Sequence, residues 1–374
     1  VRSHLLSELI VFPEGGIMER VLVTGVAGEV GSSLVQYLAR TKKASIVGFD
    51  LRSPTREVAE LCSEIALGDI SDAKCTSTLG GDHYFDTIFH LAGILSSGGE
   101  RAPLKAHEVN VTGSLNILEL ARIHSEKRNK PVKVIFTSTI AAYGIPSIEQ
   151  KRSLSAINET EALYPITMYG ANKLYCESLG RYYSENFGML EGRADRVRVD
   201  FRAVRFPGLI SAHTVPTGGT SDYASEMVHA AAQAIPYSCF VRPDTRLPFM
   251  MMPDAVRALV LLSEANANDL SQRVYNVAGF APSAAEIGSL VSRYFPDSEV
   301  SYSVNPIRQS IVDSWPEDID DVAARRDFGW QPVYNFEQGF AEHLIPAVKL
   351  RYSEHEHGTK GSEDRGASVQ LAAN

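Results

Sequence analysis

"RVLVTGVAGEVGSSLVQYLART", residues 20–41, decides the fold. An apolar run, "RVLVTG", reads as a buried strand and stops at Gly25; "EVGSSLVQYLART" reads as a helix. Gly25, Gly28 and Gly31 lie where the strand ends and the helix opens. Glycines there permit a tight turn and a close backbone approach, and the unpaired N–H groups of the helix N-terminus face whatever anion sits in the turn. The same pattern also suits a plain strand–helix turn. The next strand, "ASIVGFD" (44–50), separates the two readings, because it ends in Asp50. An acid about twenty residues past the last glycine is placed to accept from an adenosine ribose 2′-OH. The combination predicts a dinucleotide site. Asp50 favours NAD, since a carboxylate would repel a 2′-phosphate, while Arg52 offers a guanidinium that would suit one.

Outward from this unit the alternation continues. "DTIFHLAG" (86–93), "VKVIFTST" (132–139) and "VDFRAVRFPG" (199–208) read as further buried strands. "APLKAHEVNVTGSLNILELARIH" and "MYGANKLYCESLGRYYSENFG" between them read as helices. Such alternation predicts an α/β, Rossmann-type doubly wound parallel sheet. After Gly208 the pattern changes to helices such as "DYASEMVHAAAQAI" and "DAVRALVLLSEA" among more Pro and Gly. The expected organisation is a NAD-binding domain over 18–208, with about 249–278 returning to it, and a smaller C-terminal α/β substrate-binding lobe over 209–352. Residues 1–17 read as a leader with Met18 as a natural start, 189–198 as a solvated insertion, and 353–374 as a disordered tail.

Composition narrows the function classes. The chain has 374 residues, 44% hydrophobic and 22% charged, as in ordinary globular proteins. A net charge of −9 argues against nucleic acid as a partner. No run approaches a membrane span. Cys62, Cys75, Cys176 and Cys239 are scattered without metal-ligand or disulfide spacing, so the chain reads as cytoplasmic and without a metal.

"TMYGANKLYCE" (167–177) sets Tyr169 four residues ahead of Lys173, one helical turn apart on one face. That spacing alone suits a surface pair as well as an acid–base pair. With "TGVAGEVG", "GDI" (68–70), "HLAG" (90–93), "VNVTGSLNILE" (109–119), "FTSTIAAYG" (136–144) and "YGANK" (169–173), the chain resembles the extended branch of the short-chain dehydrogenase/reductase superfamily, the NAD-dependent epimerases and dehydratases. The resemblance implies that Tyr169 is the general acid/base, that Lys173 holds the nicotinamide ribose and lowers the phenol's pKa, and that Thr139, with Ser138 beside it, completes the set. Moving a phenol from about 10 to near neutrality requires about 4 kcal/mol. One ammonium about 4 Å away contributes about that much at an effective dielectric of ~20. Gly25, Gly28, Glu29, Val30, Gly31, Asp50, Leu51, Arg52, Asp69, Ile70, Leu91, Ala92, Gly93 and Phe206 are expected to line the NAD. Asn110 supports the helix behind it or simply packs there.

In the second lobe "RFPGLIS", "GGTSDYA", "DTRLPFMMMPDA", "VYNVAGF" and "RQSIVDSWPEDIDDVAARRDFGW", with "LSSGGE" at 95–100, resemble NAD-dependent L-threonine 3-dehydrogenases. That resemblance implies a small substrate, L-threonine or a similar hydroxy acid, held by Ser96, Ser138, Thr139, Tyr169, Gly208, Thr220, Ser221 and Trp315. The alternative for Thr220 or Ser221 is a cap on the following helix, and for Trp315 a place in the core. Arg205, Arg246 and Arg308 keep a nucleotide-sugar epimerase or dehydratase in view, as clamps on a diphosphate. A non-catalytic NAD-binding regulator is a third reading, which the complete Thr139/Tyr169/Lys173 set disfavours. A homodimer is usual for this fold.

Overall fold

The computed structural model describes residues 20–41, 44–79, 81, 84–191, 198–212 and 219–358. The proposed leader and most of the 189–198 insertion lie outside the described residues. Seven strands form one parallel sheet: β1 (Arg20–Thr24), β2 (Ser45–Asp50), β3 (Glu64–Leu67), β4 (Thr87–His90), β5 (Lys133–Thr139), β6 (Asp200–Phe206) and β10 (Val274–Asn276). Their spatial order is β10-β6-β5-β4-β1-β2-β3. β1 pairs with β2 on one side and β4 on the other, so the order reverses there, and a crevice opens beyond the strand ends where ligands of such sheets bind.

Alternation along the strands builds a core on each face. Val21 and Val23 point to one side with Leu34, Val35 and Leu38 of the helix Glu29–Thr41; Leu22 points to the other with Phe49, Ile88 and Phe136. The second lobe adds two short parallel pairs, β7 (Gly208–Ile210) with β9 (Phe249–Met251) and β8 (Tyr237–Cys239) with β11 (Val300–Tyr302). Its own core gathers Tyr223, Met227, Phe249, Leu290 and Trp315.

The chain crosses back more than expected. The helix Met252–Glu264 and β10 join the large sheet, and so do Ala324 and fully buried Trp330, which the sequence reading left in the second lobe. The helix Ile345–Gly358 also runs past residue 353, where a disordered tail was expected to begin; the rest of that tail lies outside the described residues. Among the described residues no helix is long and apolar enough to cross a membrane.

Candidate active site

The glycine turn is shaped by contacts that leave no room for side chains. Gly25 has φ +72°, and a Cβ on it would stand 2.7 Å from the Ala92 nitrogen; a Cβ on Gly31 would overlap the Gly25 carbonyl. The turn after β1 and the loop after β4 therefore meet across the switch point, with Glu29 and Val30 opening the helix behind them. Asp50 braces the turn from β2: one carboxylate oxygen accepts from the Ala27 N–H at 3.0 Å and the other from the Arg52 N–H at 3.0 Å. Leu51 beside it is 69% exposed. Phe206 ends β6 in the core beneath the turn, buried with Val26.

Below this cradle runs a buried chain of hydrogen bonds that fixes a tautomer. The Thr24 hydroxyl accepts from the Leu91 and Ala92 N–H groups at 3.1 and 3.2 Å, so its proton goes to His90 Nδ1, 2.8 Å away. His90 Nε2–H then donates to Ser114 Oγ at 2.9 Å, and Ser114 donates to the Asn110 carbonyl at 2.5 Å. Burial, with the Lys173 charge nearby, pushes the His90 imidazole down to about 3, so it stays neutral. Asn110 grips Ile94, next to Gly93: its amide oxygen accepts from the Ile94 N–H at 2.8 Å and its amide nitrogen donates to the Ile94 carbonyl at 3.0 Å. The Asp69 carboxyl is held below its usual range by the Ser71 hydroxyl and N–H and by Lys105. Ile70 is buried against Gly113.

The helix Met168–Arg181 is capped by Thr167, whose hydroxyl accepts from the Gly170 N–H at 3.1 Å. A Cβ on Gly170 would overlap the Ala141 carbonyl, so the helix sits directly on the turn that follows Thr139. That contact brings Thr139 to Tyr169. Desolvation pushes the Tyr169 phenol up to about 12, against the hydrogen bond from Thr139. Lys173 is buried, its ammonium 2.7 Å from the Thr137 carbonyl and 4.4 Å from the centre of the Phe136 ring. Burial pushes Lys173 down to about 8, with Cys176 and Glu177 opposing. The expected lowering of the phenol by Lys173 is therefore not set up in this geometry. The ammonium is committed to Thr137 and stands 5.8 Å from the Tyr169 ring centre, and desolvation wins.

On the substrate side, Ser96 Oγ and Thr220 Oγ1 meet at 3.1 Å, both buried. Thr220 is not a cap, since the helix Tyr223–Ala232 starts at Asp222, whose carboxylate instead accepts from the Gly219 N–H at 2.6 Å. Ser221 stays half-buried between them. Three of the expected substrate residues pack within the protein. Ser138 points away from Thr139, as strand alternation requires, and gives its hydroxyl to Glu177 at 2.5 Å. Trp315 is 4% exposed in the second lobe's core, so core packing is its observed place. Gly208 is buried, and its missing side chain lets the Phe249 ring pack where a Cβ would stand 2.5 Å away.

The arginines are already engaged. Arg205 is fully buried and paired with Glu177 at 2.6 Å. Arg246 pairs with Glu286 at 2.9 Å and donates to the Ala281 carbonyl. Arg308 lies on the Phe240 ring and donates to the Gly219 carbonyl at 2.6 Å.

The chain was compared with known proteins. Residues 21–278 match the model of the NAD dependent epimerase/dehydratase family. The chain belongs to that family. Mitochondrial L-threonine 3-dehydrogenase of Bos taurus is 35% identical over 314 residues, 84% of this chain and 78% of that protein. The solved L-threonine dehydrogenase of Clostridium difficile superposes with a TM-score of 0.78 at 30% identity, over 90% of this chain and 99% of that one. A UDP-glucose 4-epimerase from Thermotoga maritima has a TM-score of 0.72 at 21% identity, over 90% and 99% of the two chains, and shares the fold.

As a member of the epimerase/dehydratase family the protein uses NAD. The turn fits that cofactor: it has no side chains at its three glycines, and the N-terminus of a thirteen-residue helix points into it. Four residues of the site went unremarked in the sequence. Asp222 places a carboxylate two residues from Thr220, His90 and Glu177 are buried beside the family motifs, and Glu100 accepts from the Met168 N–H at 2.8 Å. Only Glu177 carried a signal, standing one turn beyond Lys173 on the same helix.

Proposed function

We propose that the protein oxidises the secondary alcohol of L-threonine to 2-amino-3-oxobutanoate, with Tyr169 as general base. The observation that carries this reading is the helix that holds Tyr169 and, one turn on, Lys173, seated directly on the turn after Thr139 beside a glycine cradle. Bound NAD⁺ supplies the hydride acceptor and a positive charge near the phenol. Tyr169, as phenolate, takes the hydroxyl proton while the β-carbon C–H bond breaks and the carbonyl forms. Thr139 orients the reacting oxygen through its own hydroxyl. A phenol at about 12 is protonated in the free chain, so the base becomes competent only when positive charge arrives beside it. Lys173 supplies part of that charge once its ammonium turns from Thr137 toward a ribose.

Two features favour a small amino acid over a nucleotide sugar. Ser96 and Thr220 offer paired hydroxyls, and Asp222 offers a carboxylate suited to an ammonium. Arg205, Arg246 and Arg308, the candidates for a diphosphate clamp, are engaged by protein groups. The relatives named L-threonine 3-dehydrogenase support the same reading. We further place the protein in the cytoplasm as a homodimer. Leu104, Leu115, Tyr175 and Tyr182, on neighbouring helices, are 80%, 37%, 55% and 47% exposed and would be covered by a second copy.

The test sets L-threonine with NAD⁺ against UDP-glucose and UDP-galactose in one preparation. NADH from threonine is expected. Interconversion of the sugars without NADH from threonine would reverse the assignment.

A further inference from the structure

Two residues first read as ligands, Ser138 and Arg205, converge on a third. Glu177 is completely buried, and so is Arg205. One Glu177 oxygen accepts from Ser138 Oγ at 2.5 Å and from Arg205 Nε at 2.8 Å; the other accepts from Arg205 Nη2 at 2.6 Å. The remaining guanidinium nitrogen donates to the Glu159 carbonyl at 2.8 Å and the Tyr143 hydroxyl at 3.0 Å. Tyr143 passes its proton to Asn276 Oδ1 at 2.7 Å, and the Asn276 amide reaches the Ile157 and Asp320 carbonyls at 3.1 Å. One carboxylate thus gathers the helix Met168–Arg181, β5 and β6, and through Arg205 it reaches β10 and the segments around residues 157 and 320.

We propose that Glu177 is a positioning residue whose bond to Ser138 sets the spacing between the strand that carries Thr137 and Thr139 and the helix that carries Tyr169 and Lys173. The inference rests on the hydride-transfer reading above. Geometry makes the link direct. On β5, Ser138 shares with Phe136 the face on which this helix lies, and Thr137 offers Lys173 its backbone carbonyl. On the helix, Glu177 follows Lys173 by four residues and Tyr169 by eight, on one face. Strand and helix are therefore clamped at Ser138 and Glu177, one residue from Thr139 and one turn from Lys173. An apolar pair would fill the space, but it would not fix a strand against a helix to within a hydrogen bond.

The Glu177 charge also acts on Lys173, opposing the effect of its burial. Tyr169 and Cys176 face that ammonium from its own helix, Phe136 from β5 and neutral His90 from β4, while Arg205 on β6 balances Glu177.

Ser138→Ala tests the clamp while leaving the ion pair intact. A misplacement well under 1 Å predicts a fall in kcat of about tenfold, with KM for threonine and Kd for NAD⁺ within twofold of wild type. Ser138→Thr, which restores the hydroxyl, should recover most of the rate. Glu177→Asp keeps the charge on a shorter arm and should match Ser138→Ala. A purely structural role predicts a lower melting temperature with kcat within twofold, and that result overturns the proposal. Amide hydrogen exchange at residues 168–173 in the NAD⁺ complex gives a readout that needs no turnover. If the wild-type protein does not oxidise threonine, the functional reading falls, and exchange alone decides the clamp. Faster exchange in Ser138→Ala keeps the clamp, and unchanged exchange rejects it.

Discussion

The hydroxyl oxygens of Ser96 and Thr220, 124 residues apart in sequence, stand 3.1 Å from each other in a buried contact between the two halves of the molecule. Each can release the other to bind a substrate group. Ser96→Ala and Thr220→Ala should therefore raise KM for threonine about five- to tenfold, the cost of one hydrogen bond of roughly 1 kcal/mol. Affinity for NAD⁺ should not change. Steady-state kinetics with parallel NAD⁺ titration measures both, and equal losses in the two would place these hydroxyls elsewhere.

Tyr169→Phe keeps the ring and removes the proposed base. The expected loss in kcat is about 10²- to 10⁴-fold, with NAD⁺ still bound. Lys173→Ala should damage both rate and cofactor affinity. Retention of more than a tenth of the wild-type rate by Tyr169→Phe would remove the phenol from the mechanism.

Asp50 braces the turn and is proposed to hold the adenosine ribose, and its removal should show both. NAD⁺ is expected to bind more tightly than NADP⁺, and Asp50→Ala should narrow the gap. The same change leaves the Ala27 and Arg52 N–H groups without their acceptor, so the melting temperature should also fall. A wild-type preference for NADP⁺ in titration would assign the ribose end to Arg52 instead.

Acid should weaken the protein through histidines. Burial pushes His90 down to about 3, and His124 and His229 to about 4, from an ordinary 6.5. Below pH 6.5 the unfolded chain binds protons that the native chain refuses, so stability falls as pH drops toward 4. At pH 5.5 each such imidazole should subtract about 1.4 kcal/mol relative to pH 8. Urea unfolding at the two pH values measures the difference. His90→Gln should reduce it by about a third of the histidine share, and an unaltered difference would contradict the buried, neutral assignment.

Legibility followed physical necessity. The glycine turn could be read because the backbone crowds out a side chain at Gly25 and Gly31, and Tyr169, Lys173 and Thr139 could be singled out because they stand in family motifs. Strands β3 and β10 escaped notice, since four and three residues are too few to establish a period. Ser138 looked like a companion of Thr139, but alternation turns it to the other sheet face, where Glu177 takes its hydroxyl. Arg205 looked like a clamp because charge is visible in a sequence and its partner is not. Trp315 and Trp330 show the same limit, as an aromatic's place is set by packing between segments far apart in the chain.

The large sheet takes its seventh strand from residues 274–276, beyond β7, β8 and β9, and pairs it with β6. During synthesis, β6 is therefore an open edge while some seventy further residues are made, between Phe206 and Val274. Neither half can finish before the other has largely emerged. A fragment ending near residue 208 would expose that edge and lose the wedge of Met252–Glu264 against the first helix, so the two lobes should not be separable into independently folding pieces.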